Sequence, residues 1–82
     1  MAKVILIAQR GWVFVGDDVS TTDEVKLKNA FCIRRWGTTN GLGQLALEGP
    51  QPETILDPIG EFSTHPLAVI GRIKCNEDVW KN

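Results

Sequence analysis

The apolar residues of this chain come in short runs whose period changes from one run to the next. Lys3 to Ala8, KVILIA, is apolar and rich in β-branched residues on both faces, the pattern of a short strand covered from two sides. Gln9-Arg10-Gly11 interrupts it, and Trp12 to Val15, WVFV, predicts a second strand ended by Gly16-Asp17-Asp18. Val19 to Asp23 is polar and turn-like. Glu24 to Lys28, EVKLK, alternates strictly, with Val25 and Leu27 inward and the charges outward, so it reads as a half-exposed strand. Asn29-Ala30 marks a bulge or turn before Phe31 to Trp36, FCIRRW, which continues that strand or pairs with it.

The period turns helical once. Leu42, Leu45 and Ala46 share a face, Thr39 or Asn40 suits an N-cap and Gly49-Pro50 a stop, which predicts one short helix over residues 41–48. Gly41 and Gly43 each cost ~1 kcal/mol relative to Ala inside a helix, so packing has to hold this one. Pro50 to Glu53 reads as an extended loop. Thr54 to Leu56 and Ile59 to Phe62 read as short strands flanking an Asp57-Pro58 turn, and Leu67 to Cys75 as a last strand bent at Gly71. Short strands with turn residues between them and a single helix make a mostly β (minor α+β) fold, either a small β barrel or a rolled antiparallel sheet. One such domain spans residues 1–75, and a polar tail over 76–82 carries Trp80. The order GWVFVGDD…EVKLKNAF, then LAVIGRIK, has a coarse architectural resemblance to Sm-like barrels, although that family places its helix first.

Composition narrows the function classes. At 82 residues the chain buries only ~60–65% of the surface its unfolded form exposes, so three Trp and three Phe either fill a thin core or await a partner subunit. No run approaches the ~20 apolar residues of a membrane span, and MAKVILIAQRG is too short in its apolar part for a signal peptide, so a cytoplasmic protein is expected. Nine basic and ten acidic residues, a net charge of −1 and a pI near 5.7 argue against binding long nucleic acid, where phosphate neutralisation supplies most of the affinity. Cys32 and Cys75 read as small buried hydrophobes of a reducing compartment, and with a single histidine they make no zinc site. No metal and no cofactor is expected.

The candidate chemistry gathers in RRWGTTNGLGQLALEG, Arg34 to Gly49. As a strand, FCIRRW turns Phe31, Ile33 and Arg35 to one face and Cys32, Arg34 and Trp36 to the other, leaving an arginine beside a tryptophan at the strand's end. Arg34 and Arg35 suit charge-assisted contact to phosphate, Trp36 suits stacking on a base, and Thr38, Thr39 and Asn40 bring donors ahead of the helix. The same residues also serve a purely structural turn, with the threonines capping, Trp36 in the core and the arginines paired with Glu48, Glu53 or Asp57. The glycines match neither a P-loop nor a dinucleotide fingerprint.

The string IRRWGTTNGLGQLALEGP, followed by ETILDPIGEF and a late apolar strand, resembles a family of small proteins encoded by bacteriophages and prophages. The likeness covers most of Val4 to Cys75 and is specific over Arg34 to Thr39, Gly41 to Gly43, Leu45-Ala46, Gly49-Pro50 and Thr54 to Pro58. It implies a phage accessory protein acting inside an infected bacterium, and no assigned activity comes with it. Small proteins of that class often block host defence by binding a protein or sequestering a signalling nucleotide.

Catalysis finds little material. His65 stands alone before Pro66, Asp17, Asp18 and Asp57 sit in turn contexts, Ser20 and Ser63 have no evident general base, and Cys32 and Cys75 lack a neighbouring histidine in sequence. The expected function is therefore non-enzymatic. It is capture of a small phosphate-bearing ligand such as a cyclic nucleotide, by a homo-oligomer whose interface presents two copies of the segment. The alternatives are a protein docked on a host factor through the apolar Trp12 strand or Trp80, and an Sm-like RNA binder, which the acidic pI disfavours.

Overall fold

In the computed structural model, which describes residues 3–80, the chain forms one five-stranded antiparallel sheet and one α-helix. The strands are β1 (Lys3–Ala8), β2 (Val13–Asp18), β3 (Val25–Arg35), β4 (Ile55–Thr64) and β5 (Val69–Lys74), and the helix α1 is Leu42–Glu48. Their order in the sheet is β4-β3-β2-β1-β5, so β1 is an interior strand between β2 and β5 and is buried on both faces, as its composition requires. The sheet does not close. β4 and β5 are its two edges, and the fold is a rolled sheet rather than a barrel.

Its two faces are buried by different means. On one face Ile5, Val13, Val15 and Ile33 pack under Leu42, Leu45 and Ala46 of α1 together with Cys75 and Trp80. On the other, Val4, Leu6, Ala8 and Phe14 meet Val25, Leu27 and Ala30, with Phe62 and Cys32 against them, and no helix takes part. That second core exists because the sheet is creased. Pairing is irregular in β2 between Val15 and Asp17, and in β3 and β4 around Ala30, which lies opposite Gly60. Asn29 adopts φ 51° at the same place. Gly16 sits in the fold line, where a Cβ would stand 3.1 Å from Ala30 Cα, Leu27 Cβ and Lys28 O. The far halves of β3 and β4 thereby swing over β2, and Phe62 stacks on Phe14 with ring centroids 4.0 Å apart.

Several boundaries differ from those the sequence suggests. β2 continues through Gly16-Asp17-Asp18, because Asp17 lies opposite Lys3 with an ion pair of 3.6 Å and Asp18 meets Arg72 at 3.3 Å. Asp57-Pro58 is no turn but the interior of β4. An edge strand has one side without a ladder and so accepts proline. Asn29-Ala30 is a bulge inside β3, which runs unbroken to Arg35. β5 starts at Val69 rather than Leu67, since Pro66–Ala68 forms a 3-10 turn in which His65 Nδ1 accepts from the Leu67 N–H at 3.0 Å. Gly71 lies within β5, opposite Ile7 and beside a register shift.

The polar tail, whose Trp80 the sequence allows either to dock on a neighbour or to fold back on its own sheet, folds back as far as Trp80, which is only 4% exposed. Its indole Nε1–H donates to Leu45 O at 3.0 Å and Ala46 O at 3.2 Å, while Asn76 N–H donates to Ala46 O at 2.9 Å and Asn76 Nδ2 to Leu47 O at 3.3 Å. The carbonyls of Ala46 and Leu47 are ones that the last turn of a helix leaves without intrahelical partners, while Leu45 O also accepts from the Gly49 N–H at 3.0 Å. Residues 76–80 thus serve as the helix's C-terminal cap and its roof. The other tail residues, Lys81 and Asn82, lie outside the described residues.

Two changes of stability follow and can be read in urea or thermal melts. Trp80→Ala removes a buried aromatic and uncaps α1, for an expected loss of ~3–5 kcal/mol and a Tm lower by more than about 10 °C. Gly16→Ala presses a methyl into the crease, for an expected loss of ~1–3 kcal/mol.

Candidate functional site

The Arg34–Asn40 segment runs from the end of β3 toward α1, and the chain around it is tightly knit. A bulge falls between Ile33 and Arg35. Arg34 reaches across to Asp57 of β4 through one edge of its guanidinium, Nε to Oδ2 at 2.9 Å and a terminal nitrogen to Oδ1 at 3.4 Å. Thr54 Oγ1 donates to Trp36 O at 2.6 Å and accepts from the Gln51 N–H at 2.8 Å. Gly37, at φ 64°, lies so close to the next loop that a Cβ there would overlap the backbone of Glu53 and Thr54. The Gly37 turn is therefore required by chain packing, which a sequence reading aimed at ligands does not reveal.

The helix start differs from expectation. Neither Thr39 nor Asn40 is the N-cap; Gly41 occupies that position and makes no side-chain cap. Instead Gln44, in the first turn of α1, reaches back. Its Oε1 accepts from the Thr39 N–H at 3.1 Å, the Thr39 hydroxyl at 3.2 Å and the Asn40 N–H at 2.7 Å. The Thr39 hydroxyl and the backbone N–H groups of Thr39 and Asn40 are thus already bound to a neutral amide oxygen. Thr38 Oγ1 is buried without a hydrogen-bond partner.

Of the six residues singled out by sequence, two remain wholly available. Arg35 is exposed and makes no hydrogen bond or ion pair among the described residues. Trp36 is 44% exposed. Arg34 is also exposed, but its charge is offset by Asp57. The structure adds two neighbours that sequence distance hides. β1 and β3 end where β2 begins, so the β1–β2 turn brings Arg10 and Trp12 to the end of the sheet that carries Arg34, Arg35 and Trp36. Arg10 is exposed, has φ 66° and no partner among the described residues, and Trp12 is 58% exposed. Three guanidiniums and two indoles meet there, with Asp57 paired to one of them.

The remaining candidates are committed or inert. His65 caps its own turn. Asp18 holds the loop after β2 by accepting from the Ser20 N–H at 3.0 Å, the local bonding expected of a turn aspartate. Cys32 and Cys75 pack into cores on opposite faces of the sheet, which keeps them apart as free thiols. Burial raises both thiol pKa values, with Asp57 adding to the effect at Cys32 and Arg34 opposing it. Cys75 is pushed up to about 11, against a partial lowering by Lys3. Among the described residues no group of three or more His, Cys, Asp or Glu side chains is placed to hold a metal, and no helix is long and apolar enough to cross a membrane. No protein-family model and no curated protein matches the chain.

A thiol whose pKa is higher in the folded than in the unfolded state stabilises the fold fully below the unfolded value of 9.0 and loses that contribution as pH rises through the folded value of about 11. Stability should therefore fall between pH 9 and 11, and Cys75→Ala should flatten that part of the profile in urea titrations. Alkylation of Cys75 at pH 7.5 should be far slower than in the urea-unfolded chain.

Proposed function

We propose that this protein is a non-enzymatic binder of a small phosphate-bearing ligand, held at the end of the sheet where Arg35 and Trp36 stand exposed. The observation that carries the reading is the pair itself: a guanidinium without a partner and a half-open indole, adjacent in sequence and fixed by the Gly37 turn beneath them. Arg35 supplies a bidentate, charge-assisted contact to phosphate and Trp36 a plane for a base. Arg34, tied to Asp57, contributes geometry more than charge. The Thr39 hydroxyl engages a ligand only by giving up Gln44, and the Thr38 hydroxyl is buried and out of reach of one.

The resemblance of Arg34 to Pro58 to phage-encoded small proteins extends this reading to a biological role, the sequestration of a nucleotide that signals in host defence, in the cytoplasm of an infected bacterium. Association of two or more copies would present the segment twice and suit a ligand with more than one base. A second reading, docking on a host protein, is favoured by Leu67 and Ile70, two large apolar side chains left exposed at the β5 edge.

Thermal melting against linear and cyclic nucleotides tests the proposal. A true ligand at a hundredfold excess over its Kd stabilises the protein by ~2.7 kcal/mol. Arg35→Ala and Trp36→Ala should each reduce that shift, and Arg35→Ala should do so without lowering the Tm of the free protein, since Arg35 is exposed and makes no hydrogen bond or ion pair among the described residues. A panel with no shift, together with a host protein retained through purification, supports the second reading instead.

A further inference from the structure

A cleft of about 390 Å³ opens on the creased face, between the end of β4, the 3-10 turn before β5 and the end of β1. Trp12, Phe14 and Phe62 form its aromatic wall, and Gln9, Thr64 and Ala68 lie around it. Its volume is within the range of small-molecule sites, at ~300–1,000 Å³, and so is its make-up, mostly apolar with a few convergent polar groups.

We infer that this cleft binds a planar heteroaromatic base at the end of the sheet that carries the arginines of the site proposed above, on which the inference rests for its phosphate. The rings are already aligned. Trp12 and Phe14 are parallel within 8° at 6.4 Å, and Phe62 lies on Phe14 at 4.0 Å and 22°. The indole of Trp12 is the member of this array left open, at 58% exposure, so a flat ring laid on it continues the stack. The crease holds the array rigid, because Phe14 is buried in the second core and Phe62 packs against it.

The polar groups at the cleft favour a base over a plain hydrocarbon. The Gln9 amide offers both donor and acceptor, the Thr64 hydroxyl does the same, and neither side chain makes a hydrogen bond among the described residues. The charge nearby favours a base that carries phosphate. Trp12 lies two residues before Phe14, and Arg34 two residues after Cys32, the cross-strand partner of Phe14. Indole and guanidiniums therefore stand at the same end of the sheet, with Arg10 in the turn between Gln9 and Trp12.

The test uses the full chain labelled with ¹⁵N, titrated with adenosine, guanosine, their 5′-monophosphates and inorganic phosphate. Expected is movement of the Trp12 indole N–H resonance with the nucleosides and the monophosphates. The buried Trp80 indole, bound to helix carbonyls, is the internal control. Trp12→Ala should weaken monophosphate binding roughly 5- to 150-fold, the effect of losing one base stack. Ala68→Phe, which fills the cleft while leaving the indole in place, should do the same. Arg35→Ala should remove only the advantage of monophosphate over nucleoside. Monophosphate binding that is unchanged by Trp12→Ala and Ala68→Phe overturns the cleft and leaves the arginine site standing. Nucleosides that bind as tightly as monophosphates uphold the cleft and overturn the phosphate reading. A Trp12 resonance that moves only with protein concentration shows the cleft to be a contact between copies of the chain, which overturns the inference, as does the absence of any response.

Discussion

A single five-stranded sheet has two apolar faces, and the described residues include only seven in an α-helix with which to cover them. The constraint is met by folding the sheet on itself along the line of Gly16, Ala30 and Gly60, where one more carbon atom on β2 would meet the backbone of β3. Everything on the creased face depends on this line. It buries Val25 and Leu27, sets Phe62 on Phe14, and leaves the open seam between the β4 and β5 edges beside which the aromatic cleft lies. The opposite face can then be closed by a helix of two turns, provided something holds the end of that helix, and Trp80 does so with its ring in the core and its N–H on the last carbonyls.

The Arg34–Thr39 string is tied into the fold along its length. Arg34 ties β3 to β4, the Trp36 carbonyl accepts from Thr54, Gly37 admits the backbone of the following loop, and Gln44 collects the donors of Thr39 and Asn40. These contacts fix the backbone so firmly that the side chains of Arg35 and Trp36 project into solvent without having to stabilise anything themselves. An exposed Arg34–Asp57 pair contributes at most ~1 kcal/mol to stability, so its value lies in orientation rather than energy. A rigid scaffold bearing unengaged polar and aromatic groups is what recognition requires, since little further ordering has to accompany binding.

Much of the architecture was legible in the order of residues. The doubly covered β1, the alternation of Val25 and Leu27, the bulge at Asn29-Ala30 and the helical face of Leu42, Leu45 and Ala46 all declare themselves through periodicity. The misread elements share a cause, the local turn chemistry of Asp, Gly and Pro. Gly16-Asp17-Asp18 and Asp57-Pro58 look like breaks, yet cross-strand cations and an edge position keep them in strands. Trp80 was illegible because its partners are carbonyls some thirty-five residues earlier. The candidate site was half legible. Arg35 and Trp36 are adjacent in sequence, but Arg10 and Trp12 join them only through a strand register, and the ring alignment at Phe62 only through the crease. Gln44, a residue without obvious chemistry, decides which donors are free.

The placement of β1 bears on how the molecule assembles. Its partners are β2, a tight turn away, and β5, so that Val4 lies opposite Lys74. The meander from β1 to β4 can zip up through neighbouring hairpins, but β5 must return across most of the chain before the sheet is complete. Topologies dominated by such distant pairings fold in milliseconds to seconds rather than microseconds. Until that return, the Val4–Ala8 strand offers an unpaired apolar margin to any other chain, and this interval is when aggregation competes with folding.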